Sequence, residues 1–371
     1  MKRLVYADNA ATTRMSRRAI DAMTSFLSEE YANPSQPYSF ARTSKKALLE
    51  SRQVIADCIG AYPEEIYFTS CGTESDNWVI HEATQRKFDI VTSSIEHHAI
   101  LHPCACAETT GLKVTYLPVD SKGLVDVYEL DKSIVHTRTL VSIMMANNEI
   151  GTVQPIKELC KIAHSKGAIF HTDAVQAIGH IPVNVHDLGV DLLSASAHKF
   201  NGPKGIGFLY VKNGLNISPF IYGGGQEKGL RSGTENVASI VGMATALKEN
   251  FENADKNTNQ LRILEKILID SLRSSGLDFI RNGTNNIPGN ISISFKDADG
   301  EMMLHRLDLM GISVSTGSAC DSQNTQISHV IKAISLDSRY AKGTIRISLG
   351  VNNSEDDVFY ITSALNKIIC E

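Results

Sequence analysis

No apolar run in this chain is long enough to cross a bilayer, which excludes an α-helical membrane span. Charge of neither sign accumulates: 36 Lys and Arg stand against 41 Asp and Glu, a net charge of −5, with both signs interspersed. That balance provides no basic face for nucleic acid or for an anionic membrane surface. The seven cysteines, Cys58, Cys71, Cys104, Cys106, Cys160, Cys320 and Cys370, include no C-x-x-C pair. An odd, scattered set argues against a disulfide framework and a structural zinc site, and Cys104-x-Cys106 is too little to hold a metal. No metal site is expected, and the thiols point to a reducing cytoplasm. The opening Met1-Lys2-Arg3 runs straight into strand-like sequence without the apolar stretch of a signal peptide. Internal repeats and low-complexity tracts are lacking as well.

What is present is globular material in an α/β order. Hydrophobic residues make up 42% of the 371 and charged residues 21%, enough to bury a large core in two domains. Residues 65–70, 90–93, 114–117, 140–144, 168–171, 190–193 and 207–210 read as strands, nearly unbroken in apolar residues. Helical patterns lie between several of them, for example over 156–165. Strands buried on both faces and joined by helical crossovers make a mostly parallel sheet. A polar stretch over 252–259 marks a composition shift. Beyond it the expected order is helix 261–274, strand 290–295, helix 301–310, a Ser/Gly-rich loop, helix 327–334, strand 344–349 and helix 356–369. We read this second part as a smaller α+β domain.

Chemistry-bearing residues gather where the expected strands end, the edge at which open parallel sheets hold ligands. The strand at 190–193 leads into Ser194-Ala195-Ser196-Ala197-His198-Lys199 and the Gly/Pro-rich Asn201-Gly202-Pro203-Lys204-Gly205. A partly desolvated lysine amine there can lose its proton and attack an aldehyde, while Ser, His and loop hold a phosphate. That is the layout of a pyridoxal phosphate site, although an isolated lysine past a strand is more often a surface charge. Thr69-Ser70-Cys71-Gly72-Thr73-Glu74 opens a helix whose free N–H groups and Thr73 hydroxyl make either an anion site or a simple cap.

In His171-Thr172-Asp173-Ala174-Val175-Gln176 a carboxylate follows a strand. It can pair with a pyridine nitrogen and keep that ring an electron sink, or merely cap a helix. In Glu96-His97-His98 a histidine can stack on a flat ring and move protons near neutral pH, and the pattern leaves open which ring points inward. Asn147-Asn148-Glu149-Ile150-Gly151 supplies an amide, Asn148, for a ring or substrate. Thr344-Ile345-Arg346-Ile347-Ser348 buries an arginine, which needs a carboxylate partner from a substrate or from the protein itself. Gly317-Ser318-Ala319-Cys320 surrounds a cysteine with small polar residues, as suits a nucleophilic loop thiol, while the charge of Asp321 opposes thiolate formation.

Taken in this order, the blocks resemble the cysteine desulfurases of NifS/IscS type, members of the class-V aminotransferase group of fold-type I pyridoxal phosphate enzymes. Besides the runs quoted above, the similarity rests on Tyr6-Ala7-Asp8-Asn9-Ala10-Ala11-Thr12-Thr13, Asn33-Pro34-Ser35, Ser75-Asp76-Asn77, Arg231-Ser232-Gly233-Thr234-Glu235-Asn236 and Leu349-Gly350, and so covers nearly the whole chain. It implies a large cofactor-binding domain over residues 15–255 with a mostly parallel central sheet. Residues 1–14 and 256–371 would form a small α+β domain carrying the catalytic cysteine loop.

The resemblance also implies roles. Lys199 holds pyridoxal 5'-phosphate as a Schiff base and later takes the substrate α-proton. Asp173 pairs with the pyridine nitrogen, Gln176 with the ring hydroxyl, and His97, rather than His98, stacks on the ring and serves as acid and base. Gly72, Thr73, Ser196 and His198 hold the phosphate, joined in a homodimer by Thr234 of the partner subunit. Asn33 and Arg346 grip the substrate carboxylate, with Asn148 near ring and substrate. Cys320 takes sulfur from L-cysteine as a persulfide, leaving L-alanine. It then passes the sulfur to an acceptor protein, a scaffold or sulfur carrier, for iron–sulfur cluster assembly or other delivery. Asp321 and Gln323-Asn324-Thr325-Gln326 depart from the Thr/Ser-rich loop of the housekeeping members, and their longer tail does not follow Cys370-Glu371, so the acceptor stays open. The competing readings are a selenocysteine lyase or another class-V lyase or transaminase. A transaminase has no use for Cys320, and a non-catalytic relay component has none for Lys199, Asp173 and His97.

Overall fold

Both faces of the central sheet are covered, which is why its strands read as apolar runs rather than alternating ones. The computed structural model describes residues 3–317 and 327–371. Its strands are β1 (Val5–Tyr6), β2 (Ile66–Thr69), β3 (Asp89–Ser93), β4 (Val114–Leu117), β5 (Thr139–Ser142), β6 (Ile169–Asp173), β7 (Leu192–Ser196), β8 (Gly207–Val211), β9 (Phe279–Arg281), β10 (Asn290–Phe295), β11 (Ile312–Ser313) and β12 (Thr344–Ser348). Seven of them form one sheet in the order β2-β8-β7-β6-β5-β3-β4. From β7 to β4 every neighbour is parallel, while β8 runs antiparallel to both β7 and β2. The fold is α/β with a mixed, mostly parallel sheet. Every residue of β2, β5, β7 and β8 is buried.

A second core lies under the antiparallel sheet β12-β10-β9, where Ile291, Ile293, Phe295, Ile345 and Ile347 meet Leu264, Leu268, Ile361 and Leu365. Val5 and Ala7 belong to this core, and β1 pairs with β11. The chain's start is thereby stitched to its C-terminal third. The last helix, Glu355–Cys370, begins in a capping box, with Ser354 and Asp357 each accepting the other's backbone N–H.

Two boundaries differ from the expected ones. The polar stretch 252–259 is helical: Val237–Glu252 and Ala254–Ser274 meet at Asn253. None of residues 252–259 is buried, and a solvated helix face has the same composition as a linker. The strand expected at 190–193 runs over Leu192–Ser196, because Ser194 and Ser196 are buried within the sheet, paired with Leu209 and Gly207. Among the described residues, no helix is long and apolar enough to cross a membrane.

Candidate active site

The carboxyl ends of β2, β3, β6 and β7 lie along one edge of the sheet, and that edge walls a cavity of about 260 Å³. Gly72, Thr73, His97, Asn148, Asp173, Gln176, Ser196, His198, Lys199 and Arg346 all line it, joined by Ala10, Ala11, Cys71, Asp76, Met144 and Val175. Two residues singled out from the sequence are not in its wall. Asn33 is half-buried with its side-chain oxygen on the Ser35 N–H at 2.9 Å, and Thr234 is exposed. Cys320, with its neighbour Asp321, lies outside the described residues.

A single 3₁₀ turn, Ala197–Lys199, carries the chain from β7 to the lysine. Backbone contacts fix that turn on both sides. The His198 carbonyl accepts from Thr13 N at 2.9 Å and Thr13 Oγ1 at 2.8 Å, and the Lys199 carbonyl lies 2.8 Å from His180 Nε2. The Lys199 amine then donates to the carbonyls of Ala10 at 2.6 Å and Ala11 at 2.9 Å. Gln176 reaches the same Ala10 carbonyl at 3.0 Å.

Asp173 closes β6 and is buried, its Oδ1 accepting the Val175 N–H at 2.9 Å. Burial pushes its carboxyl up to about 6, against the pull of the Val175 N–H and the Lys199 charge. His97 caps the helix His98–Thr109: its Nδ1 accepts the Ala99 N–H at 3.1 Å, which puts the neutral ring's proton on Nε2. Burial, then the Lys199 charge, hold this imidazole down to about 4. His98 instead stands 3.1 Å from His102, outside the cavity wall.

Beneath His97 lies Glu96, fully buried, accepting from Ser93 Oγ at 2.6 Å and Met144 N at 2.9 Å. Burial raises its carboxyl from the ordinary 4.5 to about 8. Between those two values the unfolded chain releases this proton and the folded chain keeps it. Stability therefore falls as pH rises through that window, at up to about 1.4 kcal/mol per pH unit. Glu96→Gln removes the term, so the Tm of the variant relative to wild type is expected to climb from acid pH to about 8 and then level off. Thermal melts across that range check this; a constant difference would contradict it.

The opposite wall is built for an anion. The helix Gly72–Arg86 starts here, and Cys71 places no side chain on its N-terminal N–H groups. A Cβ on Gly72 would come within 2.6 Å of Val175 Cγ2, so only glycine lets helix and loop approach this closely. Ser196 Oγ is buried and meets no hydrogen-bond partner among the described residues. His198 Nδ1 lies 3.1 Å from Thr12 Oγ1, its ring held down to about 4 by burial, then by the charges of Lys199 and Lys204. Arg346 has the protein partner its burial requires: Nη2 reaches Asp8 Oδ1 at 2.7 Å and Nη1 the Asn148 carbonyl at 2.9 Å. Its Nε is buried without a partner among the described residues.

Residues 5–361 match the aminotransferase class-V family model. A cysteine desulfurase IscS from Dictyoglomus turgidum is 48% identical over 100% of this chain and 95% of its own length. The chain belongs to the cysteine desulfurase family. Among solved structures, a NifS-like protein superposes with a TM-score of 0.93 at 39% identity, covering 100% of both chains. SspA in complex with cysteine is 35% identical, with a TM-score of 0.83 over 94% of this desulfurase and 99% of that chain.

Reading motifs did not reveal every part of the desulfurase cavity. Ala10 and Ala11 act through their carbonyls, which carry no side-chain signature. Asp76, in the Ser75-Asp76-Asn77 run, carries no motif that marks a role. The helical period was its signal, since Gly72, Thr73 and Asp76 stand three and four apart on one face of the helix.

Proposed function

We propose that the enzyme moves sulfur from L-cysteine to Cys320 as a persulfide and releases L-alanine, with pyridoxal 5'-phosphate held in the cavity. The observation that carries this is one cavity holding an amine, Lys199, a buried carboxyl group, Asp173, and the unmet Ser196 hydroxyl beside a helix N-terminus. These are the groups an aldehyde, a protonated ring nitrogen and a phosphate require, so the residues fit the cofactor. Lys199 would hold it, Asp173 the ring nitrogen, Gln176 the ring hydroxyl, His97 and Asn148 the ring, and Gly72, Thr73, Ser196 and His198 the phosphate. When bound, the cofactor supplies an electron sink for the charge left at the substrate's α-carbon.

The chain's own residues do the rest. Arg346 orients the substrate carboxylate, its unpartnered Nε supporting this. Lys199 takes the α-proton. His97, neutral and protonated at Nε2, exchanges the proton of the substrate thiol. The Cys320 thiolate attacks the substrate sulfur: an S–S bond forms, the C–S bond breaks, and its electron pair stays with carbon, which is protonated. One L-cysteine and one thiol give one L-alanine and one persulfide, which a scaffold or sulfur-carrier protein then accepts. The cysteine bound by the related SspA supports a small thiol amino acid as substrate.

Residues 15–255 make the cofactor domain, and residues 1–14 with 256–371 the small one. The β1–β11 pairing and the place of Val5 and Ala7 in the C-terminal core support this division. A homodimer brings Thr234 of the partner subunit to the phosphate, as its exposure away from its own cavity supports. The free cysteines fit a reducing cytoplasm. Borohydride treatment of the purified yellow chain is expected to fix about one cofactor per chain on the peptide holding Lys199. Label on another lysine, or a chain that stays colourless in excess cofactor, contradicts the assignment.

A further inference from the structure

Three buried carboxyl groups crowd the sheet edge at this cavity: Asp173, Glu96 and Asp76. Glu96 is occupied by Ser93 and Met144, and Asp173 faces the cofactor site. Asp76 has no part in the reaction as described. Yet it is 1% exposed, lines the cavity, and its Oδ1 meets no hydrogen-bond partner among the described residues. A buried carboxyl oxygen left this way is costly unless it serves something.

Its surroundings show what it serves. Asp76 Oδ1 lies 3.8 Å from His171 Nε2. His171 is bonded through Nε2 to Ser194 Oγ at 3.0 Å and through Nδ1 to Ser142 Oγ at 2.9 Å. His171 and Asp173 stand two apart on β6 and so share a face, and Ser194 is the register partner of Asp173 on β7. Asp76, His171 and Ser194 therefore make one polar layer next to Asp173.

Charge decides the state of that layer. Adjacent carboxylates with little water cannot both ionise. The nearby cations are few: Lys199 acts on Asp173, Arg346 is bonded to Asp8, and burial keeps His171 neutral. Asp173 has the Val175 N–H to hold its charge. Asp76 has burial against it first, then the charge of Asp173, and Ser194 opposes them.

We propose that Asp76 is a positioning residue for Asp173, a neutral carboxylic acid that completes the polar layer and leaves Asp173 the single anion facing the cofactor ring. This rests on the function proposed above. In that role Asp76 supplies a neutral polar group rather than a charge, so a neutral side chain of the same shape replaces it and a truncated one does not.

The test compares holoenzyme of wild type, Asp76→Asn, Asp76→Ala and Asp173→Asn by the pH titration of the visible cofactor band, the cofactor Kd and infrared spectra. Asp76→Asn is expected to keep the titration midpoint and to hold Kd within about twofold. Asp76→Ala is expected to move the midpoint and raise Kd about tenfold, the cost of one buried hydrogen-bond partner lost. Wild type at neutral pH should show a carboxylic-acid carbonyl stretch that Asp76→Asn lacks. A purely structural role would lower Tm in Asp76→Ala without moving the midpoint, and that result overturns the proposal. So does an Asp76→Asn midpoint displaced as far as that of Asp173→Asn, which would make Asp76 a working anion. The infrared band, read on the chain without added cofactor, tests Asp76 even where alanine disturbs folding. A wild type that never acquires a visible band strikes the cofactor reading instead.

Discussion

Replacing Lys199 with alanine is expected to slow L-alanine formation from L-cysteine by about 10⁴-fold, the upper range for losing a positioned base. Two functions disappear with one amine: the attachment of the cofactor and the removal of the α-proton. The rest of the cavity stays in place, because the turn carrying Lys199 is anchored through backbone carbonyls to Thr13 and His180. Lys199→Arg separates charge from chemistry. A guanidinium keeps the positive charge that acts on Asp173 and His97, but it does not give up its proton at neutral pH. Both variants should therefore be inactive while remaining folded. Wild-type turnover in either one would remove Lys199 from the chemistry.

Much of this was legible because an apolar strand that ends in a polar cluster has few alternatives to a ligand edge. Asp173, Lys199 and His97 stand out for that reason, the first as the last residue of a buried strand and the other two just past one. What the sequence hides is of other kinds. Asp8 and Arg346 bond across 338 residues of chain, a pairing that no local pattern encodes. The carbonyls of Ala10 and Ala11 take the Lys199 amine, and backbone atoms leave no trace in residue identity. The helix starting at Ala254 was masked by polar residues that suit a linker and a solvated helix face equally. Asn33 and Thr234 were picked out by their motifs, yet neither stands in the cavity wall of its own chain.

Cys320→Ala is expected to lower sulfur removal at least about 10³-fold, as loss of a nucleophile does when the rest of the machinery remains. Without that thiol nothing takes the sulfur as the C–S bond breaks, although Lys199, His97 and Asp173 are untouched and cofactor binding is retained. Cys71 in the cavity wall does not substitute for it in this scheme, because there it sits at the start of the phosphate-facing helix. The decisive measurement is L-alanine released from L-cysteine under excess reductant, wild type against Cys320→Ala at matched cofactor content. Alanine from the wild type and almost none from the variant is the expected result; equal alanine from both would contradict sulfur transfer through Cys320.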